Sequence, residues 1–194
     1  MIRSKKGQAE LVEYILTFLI STIVIIAIYA LVMAIYNNQL AAEINNDLKQ
    51  LNAQTLSSII KLYTSASSYT DPIQNNNAIL LGTINLNYPN NVARRNYEIL
   101  LVSPGQIYSP LNITTSYGSG GQDMGGPKII GRTLVKPFIE VITNIPSIDI
   151  VAQGQVSNGL NPILSFYKAN ISGNVTNIAI LGNYSILSNV NSIR

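Results

Sequence analysis

The feature that most constrains this chain is the placement of its helix breakers. The 194 residues include 13 glycines and 8 prolines, yet none of them lies in residues 8–71. Glycine and proline are poorly tolerated inside helices and are needed in turns. Their absence from the first third of the chain therefore predicts one continuous helix there. From Pro72 onward the breakers recur every few residues, which predicts short strands. We therefore expect an α+β chain, with a long N-terminal helix followed by a small, β-sandwich-like head.

The predicted helix has two chemically distinct parts. Residues 8–36 are mainly hydrophobic, and the 22 residues 15–36 are almost wholly apolar. As a helix these 22 residues would span about 33 Å, enough for the hydrocarbon core of a bilayer. Residues 37–70 are amphipathic, because polar residues alternate with an apolar stripe at helical spacing. That stripe consists of Leu40, Ile44, Leu48, Leu51, Ile59 and Leu62.

Residues 71–194 form the predicted head. Eight β-prone runs occur there, at 78–87, 96–102, 128–135, 138–143, 148–155, 162–167, 177–181 and 184–187. Turn-forming residues separate them, and short strands at such spacing are typical of a small sandwich or barrel. The Asn158-Gly159 pair predicts a hairpin turn between two of these strands.

The residue types that are missing exclude many activities. The chain has no cysteine and no histidine. Zinc fingers, thiol nucleophiles and Ser-His-Asp triads are therefore excluded. We expect no enzyme and nominate no catalytic, metal or cofactor residue. The net charge of +3 is also too small for a nucleic-acid partner.

Positive charge is concentrated ahead of the apolar run. Arg3, Lys5 and Lys6 precede it, and no residue from 14 to 42 is charged. Basic residues before a hydrophobic segment stay in the cytoplasm, so the head should lie outside the membrane. No small-residue cleavage site follows the apolar run as it would in a secretory signal peptide. A permanent single-pass anchor also fits this pattern.

Two carboxylates lie near the start of the predicted helix. Glu10 and Glu13 are three residues apart and share a helix face. Acids near a helix N-terminus are favourable, but in a bilayer or dry bundle they cost several kcal/mol unless paired. If the chain began at Gln8, its new α-amino group would lie beside them. It could then neutralise one of them, in the same chain or in a neighbour.

Residues 5–14, KKGQAELVEY, followed by about 22 apolar residues, resemble the class III signal sequence of type IV pilin precursors. The Gly-Gln start is similar to that of archaeal pilins in particular. The resemblance covers about residues 1–40. It implies that a membrane-embedded prepilin peptidase removes residues 1–7, cutting between Gly7 and Gln8, with Lys5 and Lys6 as recognition residues.

The resemblance further implies an assembly pathway. The apolar helix holds the precursor in the cytoplasmic membrane and then forms the core of a homopolymeric extracellular adhesion pilus. An assembly ATPase and its membrane platform would be further partners. Removal of Arg3, Lys5 and Lys6 leaves 12 − 3 = 9 basic residues against 9 acids. The excess charge therefore indicates topology and processing.

The position of the acids departs from the common pilin pattern. Many type IV pilins carry glutamate at the fifth mature position, whereas a cut after Gly7 puts Glu10 third and Glu13 sixth. Either the frame is shifted, with Glu13-Tyr14 as the Glu-Tyr pair of small tight-adherence pilins, or this lineage uses another spacing. Which acid neutralises the amino terminus stays open.

Four Asn-X-Ser/Thr sequons fit N-glycosylation of an exported protein. They begin at Asn112, Asn170, Asn174 and Asn183. A chain this rich in Asn, Ser and Thr also produces such triplets by chance, and we expect about half to be modified. N-linked glycans are the non-protein groups that the sequence predicts.

Two alternatives accompany the pilin interpretation. The first is an archaellin, the subunit of a rotary filament, although its N-terminus usually has a Gly-Leu or Gly-Ile start. The second is a membrane-anchored extracellular binding or surface protein with a β-rich head. Motility of a deletion strain separates the first from a pilin. The N-terminal residue of the mature chain separates the second.

Overall fold

The computed structural model describes residues 3–75, 77–103, 126–146, 150–158, 161–171 and 173–182. It contains one helix followed by seven strands, so the expected α+β class is confirmed. The chain divides into two compact units, Met1–Glu43 and Ile44–Arg194. The first consists of helix in its described residues. The second holds the rest of the helix and the sheet.

Helix α1 comprises Arg3–Ala66 and is α-helical at every residue. This continuity confirms the prediction from the absence of Gly and Pro. The helix starts before the expected leader boundary, since Gly7 is already inside it. It ends before Asp71-Pro72, in the Ser-rich stretch where hydroxyls compete for backbone carbonyls. There the Ser67 and Ser68 hydroxyls donate to the carbonyls of Thr64 and Ser65, both at 2.7 Å.

Seven of the eight predicted β-prone runs form strands. The strands are β1 (Asn77–Asn85), β2 (Tyr97–Val102), β3 (Lys128–Thr133), β4 (Glu140–Asn144), β5 (Ile150–Ser157), β6 (Ile163–Ile171) and β7 (Asn174–Leu181). The eighth run, at 184–187, lies outside the described residues. Strands β6 and β7 extend beyond their predictions because polar residues continue them into a tight connection.

The seven strands form one sheet in the order β1-β6-β7-β5-β2-β3-β4. Neighbours are antiparallel except β5 and β7, which are parallel. The predicted hairpin at Asn158-Gly159 is wrong, because β7 lies between β5 and β6. The tight hairpin instead joins β6 to β7, where Ile171 pairs with Asn174 and Gly173 has φ of 90°.

The arrangement of the head differs from a sandwich of two sheets. Within the described residues there is one sheet, and residues 44–66 of α1 pack on one face of it. At one end of this contact a Cβ on Gly131 of β3 would lie 2.9 Å from Asn52 Oδ1. At the other, the Tyr63 ring meets Phe166 of β6 edge-on, with centroids 6.2 Å apart. An amphipathic helix can cover a sheet face as a second sheet does.

The apolar stripe of the helix supplies one side of this core. Five of its predicted members are buried: Ile44, Leu48, Leu51, Ile59 and Leu62. The sheet contributes large buried side chains that include Ile99 and Ile129. Leu40, the sixth member, lies in the other unit and is half-buried. Burial of this stripe stabilises the head by about 25 cal/mol per Å² of apolar area.

Two polar residues also face this core, and the sequence pattern does not single them out. Asn52 Nδ2 donates to the Val141 carbonyl at 2.9 Å, whereas its buried Oδ1 accepts no hydrogen bond among the described residues. Thr55 fills the gap between Leu51 and Ile59. Its hydroxyl donates to the Leu51 carbonyl at 2.8 Å and contacts the Tyr88 hydroxyl. A side chain that bonds a local carbonyl can occupy an apolar stripe at little cost.

Candidate functional site

The most unusual surface of the molecule is the apolar part of α1. Its most apolar 18-residue window has a mean hydropathy of 2.8, and none of that window is buried within the chain. Large apolar side chains are exposed at successive positions from Leu11 to Tyr36, so they surround the helix on all sides. By length and composition this helix could cross a membrane. A helix that is apolar all round needs lipid or other protein as its surroundings.

The hydroxyl side chains of the apolar run are satisfied within the helix itself. Thr17, Ser21 and Thr22 each donate, at 2.8 Å, to the carbonyl four residues before them. This pairing removes the cost of an unbonded donor in an apolar medium. Each oxygen keeps a lone pair that can accept another hydrogen bond. The run therefore suits a dry environment despite its three hydroxyls.

The expected processing site lies in the first turns of α1. Lys5, Lys6, Gly7 and Gln8 are all helical; the side chains of the two lysines lie outside the described residues, and Gly7 and Gln8 are exposed. Among the described residues, no atom outside the neighbouring helix backbone lies within 4 Å of a Cβ built on Gly7, and its φ is not in the left-handed region. The fold of this chain therefore does not require glycine at position 7.

Both acids of the predicted assembly site are exposed on α1. Glu10 and Glu13 lie one turn apart, and no ion pair joins either to another described side chain. They are also the last charged residues before the apolar run. A cation from a new chain terminus or a neighbouring chain could reach either carboxylate.

No known protein family, curated protein or solved structure matches this chain. Among the described residues, no group of three or more Asp or Glu side chains could hold a metal ion. The buried carboxylate of Glu98 is bonded within the sheet, to Arg132 Nε and, at 2.6 Å, to Gln155 Nε2. Both oxygens of this carboxylate thus take part in hydrogen bonds that link neighbouring strands.

The two described sequons differ in access. Asn174 begins β7 and is exposed. Asn170 is half-buried, and its Nδ2, the atom that would carry a glycan, donates to the Ile73 carbonyl at 2.9 Å. Its Oδ1 accepts from the Gly173 amide at 3.1 Å. Asn112 and Asn183 lie outside the described residues. In the folded head, Asn174 is therefore the more accessible attachment site for a glycan.

One further residue of the apolar run is conspicuous in the structure. Tyr29 is 64% exposed, and its hydroxyl has no hydrogen-bond partner in the described part of the chain. The three nearby hydroxyls of Thr17, Ser21 and Thr22 all have one. In the sequence, Tyr29 could have been found as a phenol within an otherwise apolar stretch. A composition summary does not reveal it, because tyrosine is counted among the hydrophobic residues.

Proposed function

We propose that this chain is the structural subunit of an extracellular, type IV-like adhesion pilus that assembles through its N-terminal helix. The supporting observation is a continuous helix whose apolar run is exposed on every side and begins a few residues after a Lys-Lys-Gly-Gln start. This combination demands apolar surroundings for the helix and offers a processing site next to it. We propose the cytoplasmic membrane as the location of the precursor.

Transfer from lipid into a bundle of identical helices would keep the apolar run dry throughout. Lipid tails are as apolar as the helix, so the gain would come from van der Waals packing and from pairing of polar groups. Neutralisation of Glu10 or Glu13 by the amino group of Gln8 would be one such pairing. A head-to-tail contact that does not close on itself produces a helical filament.

Gly7 supports the involvement of a processing peptidase. Its neighbourhood has room for a side chain, so the chain itself gives no reason for glycine there. Glycine does make a helix turn easier to open, by about 1 kcal/mol relative to alanine. A peptidase that must unwind and enclose the Gly7-Gln8 bond would benefit from both the missing side chain and the weakened turn.

The N-terminal residue of the mature chain provides the main test. We expect mass spectrometry of surface-sheared filaments to give a chain that starts at Gln8. Gly7→Val should block processing, whereas Ala9→Val, a matched change beyond the cut, should leave it intact. A mature chain that retains Met1 would favour the membrane-anchored surface protein. Loss of swimming in a deletion strain would favour the archaellin.

N-linked glycans on the head complete the proposal. Asn174 is the described sequon residue with an exposed side chain, whereas the side chain of Asn170 is bonded to the Ile73 carbonyl. We therefore propose Asn174 as a glycosylated residue. Intact-mass measurement of the filament subunit tests this: a mass equal to that of the bare polypeptide would refute glycosylation at every sequon.

A further inference from the structure

Tyr29 places one hydrogen-bond donor deep in the apolar run. It is 7 residues before Tyr36 and 15 after Tyr14, which mark the two ends of the run. Along a helix these separations are about 10 Å and 22 Å. The hydroxyls of Tyr14 and Tyr36 can therefore reach polar surroundings at the ends of an apolar layer. The hydroxyl of Tyr29 cannot, and burying a hydroxyl without a hydrogen bond is unfavourable.

The acceptors that could serve Tyr29 are few. Apart from tyrosines, the hydroxyls in residues 15–36 belong to Thr17, Ser21 and Thr22. Each donates to a carbonyl and keeps its oxygen free to accept. On the same helix they lie 7 to 12 residues from Tyr29, or about 10–18 Å along the axis. Any of these three hydroxyls can therefore serve Tyr29 only from another chain.

Helix geometry distinguishes the three acceptors. At about 100° per residue, Thr22 lies only about 20° round the helix from Tyr29, whereas Ser21 lies about 80° away. A contact between identical chains that does not close on itself joins two different faces, which disfavours Thr22. Thr17 is a further turn away and its γ-methyl crowds the oxygen. Ser21 is exposed and unbranched.

We infer that the Tyr29 hydroxyl donates a hydrogen bond to Ser21 Oγ of a second copy of this chain, and that this bond sets the axial register of neighbouring helices. The inference rests on the proposed filament function. Eight residues correspond to about 12 Å along the axis. Tyrosine side chains lean toward the helix N-terminus by up to a turn, so parallel neighbours in this contact are offset by about 7–12 Å.

The test compares single hydroxyl deletions in cells that assemble the filament. Tyr29→Phe removes the donor and keeps the ring, and Tyr36→Phe is the matched control at the end of the run. For each strain, the ratio of subunit in sheared filaments to subunit in membranes is measured. We expect Tyr29→Phe to lower this ratio about three- to thirty-fold, the effect of losing one hydrogen bond between apolar helices. Tyr36→Phe should leave it within about two-fold.

Ser21→Ala identifies the partner. It should lower the ratio as Tyr29→Phe does, and the double variant should be no worse than either single variant, because both remove the same bond. An unchanged ratio in Tyr29→Phe, or independent effects of the two substitutions, would overturn the contact while leaving the filament in place. Wild-type cells whose filaments lack this chain would overturn the proposed function and the contact together.

Discussion

Helix α1 passes through two regions that treat apolar side chains in opposite ways. In the unit that ends at Glu43, large apolar residues such as Leu19 and Ile23 are more than half exposed. In the unit that begins at Ile44, the same helix buries Leu48 and Ile59 completely. The second region is stabilised by its own chain, whereas the first needs a covering from outside. Substitutions in the second region should therefore lower the stability of the head, whereas substitutions in the first should instead affect assembly.

The largest difference is expected between two glycines. Gly154 of β5 has φ of 136°, and a Cβ there would lie 2.1 Å from the Leu181 carbonyl oxygen. Gly154→Ala should therefore prevent the head from folding or lower its free energy of unfolding by more than about 3 kcal/mol. Gly7→Ala, with open space around it, should leave head stability unchanged. Thermal unfolding of the detergent-solubilised chain, followed by its β-sheet signal, distinguishes them; equal melting temperatures would contradict the comparison.

A leucine pair tests burial directly. Leu48→Ala removes a fully buried side chain and should cost about 2–5 kcal/mol of head stability. Leu19→Ala removes a side chain that is 52% exposed, so the head should unfold at the wild-type temperature. Its effect should appear instead as fewer filaments. If Leu19→Ala destabilised the head as much as Leu48→Ala, the two regions would not be independent.

Alkaline pH should weaken the head through its buried tyrosines. Burial raises the pKa of Tyr97 to about 12 and also raises the pKa of Tyr88, each from an ordinary value near 10. Well below pH 10 both are neutral whether the head is folded or unfolded, so their titration does not change the free energy of unfolding. Above pH 10 the unfolded chain loses protons that the folded head retains, and stability falls as pH rises toward 12. Urea midpoints between pH 8 and 11.5 measure this, and Tyr88→Phe should flatten the decline.

The smallest effect concerns the β6–β7 hairpin. Asn170→Gln removes the bond to the Ile73 carbonyl and should cost about 1 kcal/mol. Asn174→Gln changes an exposed side chain and should stay within about 0.5 kcal/mol. The subunit mass should show the reverse, falling by one glycan only for Asn174→Gln. Loss of a glycan in Asn170→Gln alone would contradict the assignment drawn from the folded head.

Local features were predictable because they depend on nearby residues. The absence of Gly and Pro in residues 8–71 predicted α1, and its buried stripe followed from helical spacing. β-Branched runs predicted the positions of β1 to β7. A short motif predicts a processing site at Gly7 and Gln8, which stays a prediction, and the room around Gly7 is the feature that only the structure adds.

Long-range features were not predictable from one sequence. The pairing of β5 with β7, which places a strand between β5 and β6, depends on contacts that no local pattern records. The hairpin predicted from Asn158-Gly159 is therefore wrong. Asn52 resembles a solvated helix residue in sequence, yet it is buried because Gly131 allows β3 to approach it. That the Tyr29 hydroxyl lacks a partner becomes significant only in the structure, where the hydroxyls of Thr17, Ser21 and Thr22 are bonded to helix carbonyls.

The pairing of β1 has a consequence for the order of events during synthesis. Among the described strands its one neighbour in the sheet is β6, and Asn77 pairs with Asn170, which is 170 − 77 = 93 residues later in the chain. Strand β1, which is synthesised first, can pair only after β6, the sixth of the seven described strands, has been synthesised. Because such distant pairings form slowly, the head completes its sheet only when most of the chain has left the ribosome. By then α1 has long been available for insertion, so the chain can be tethered before it is folded.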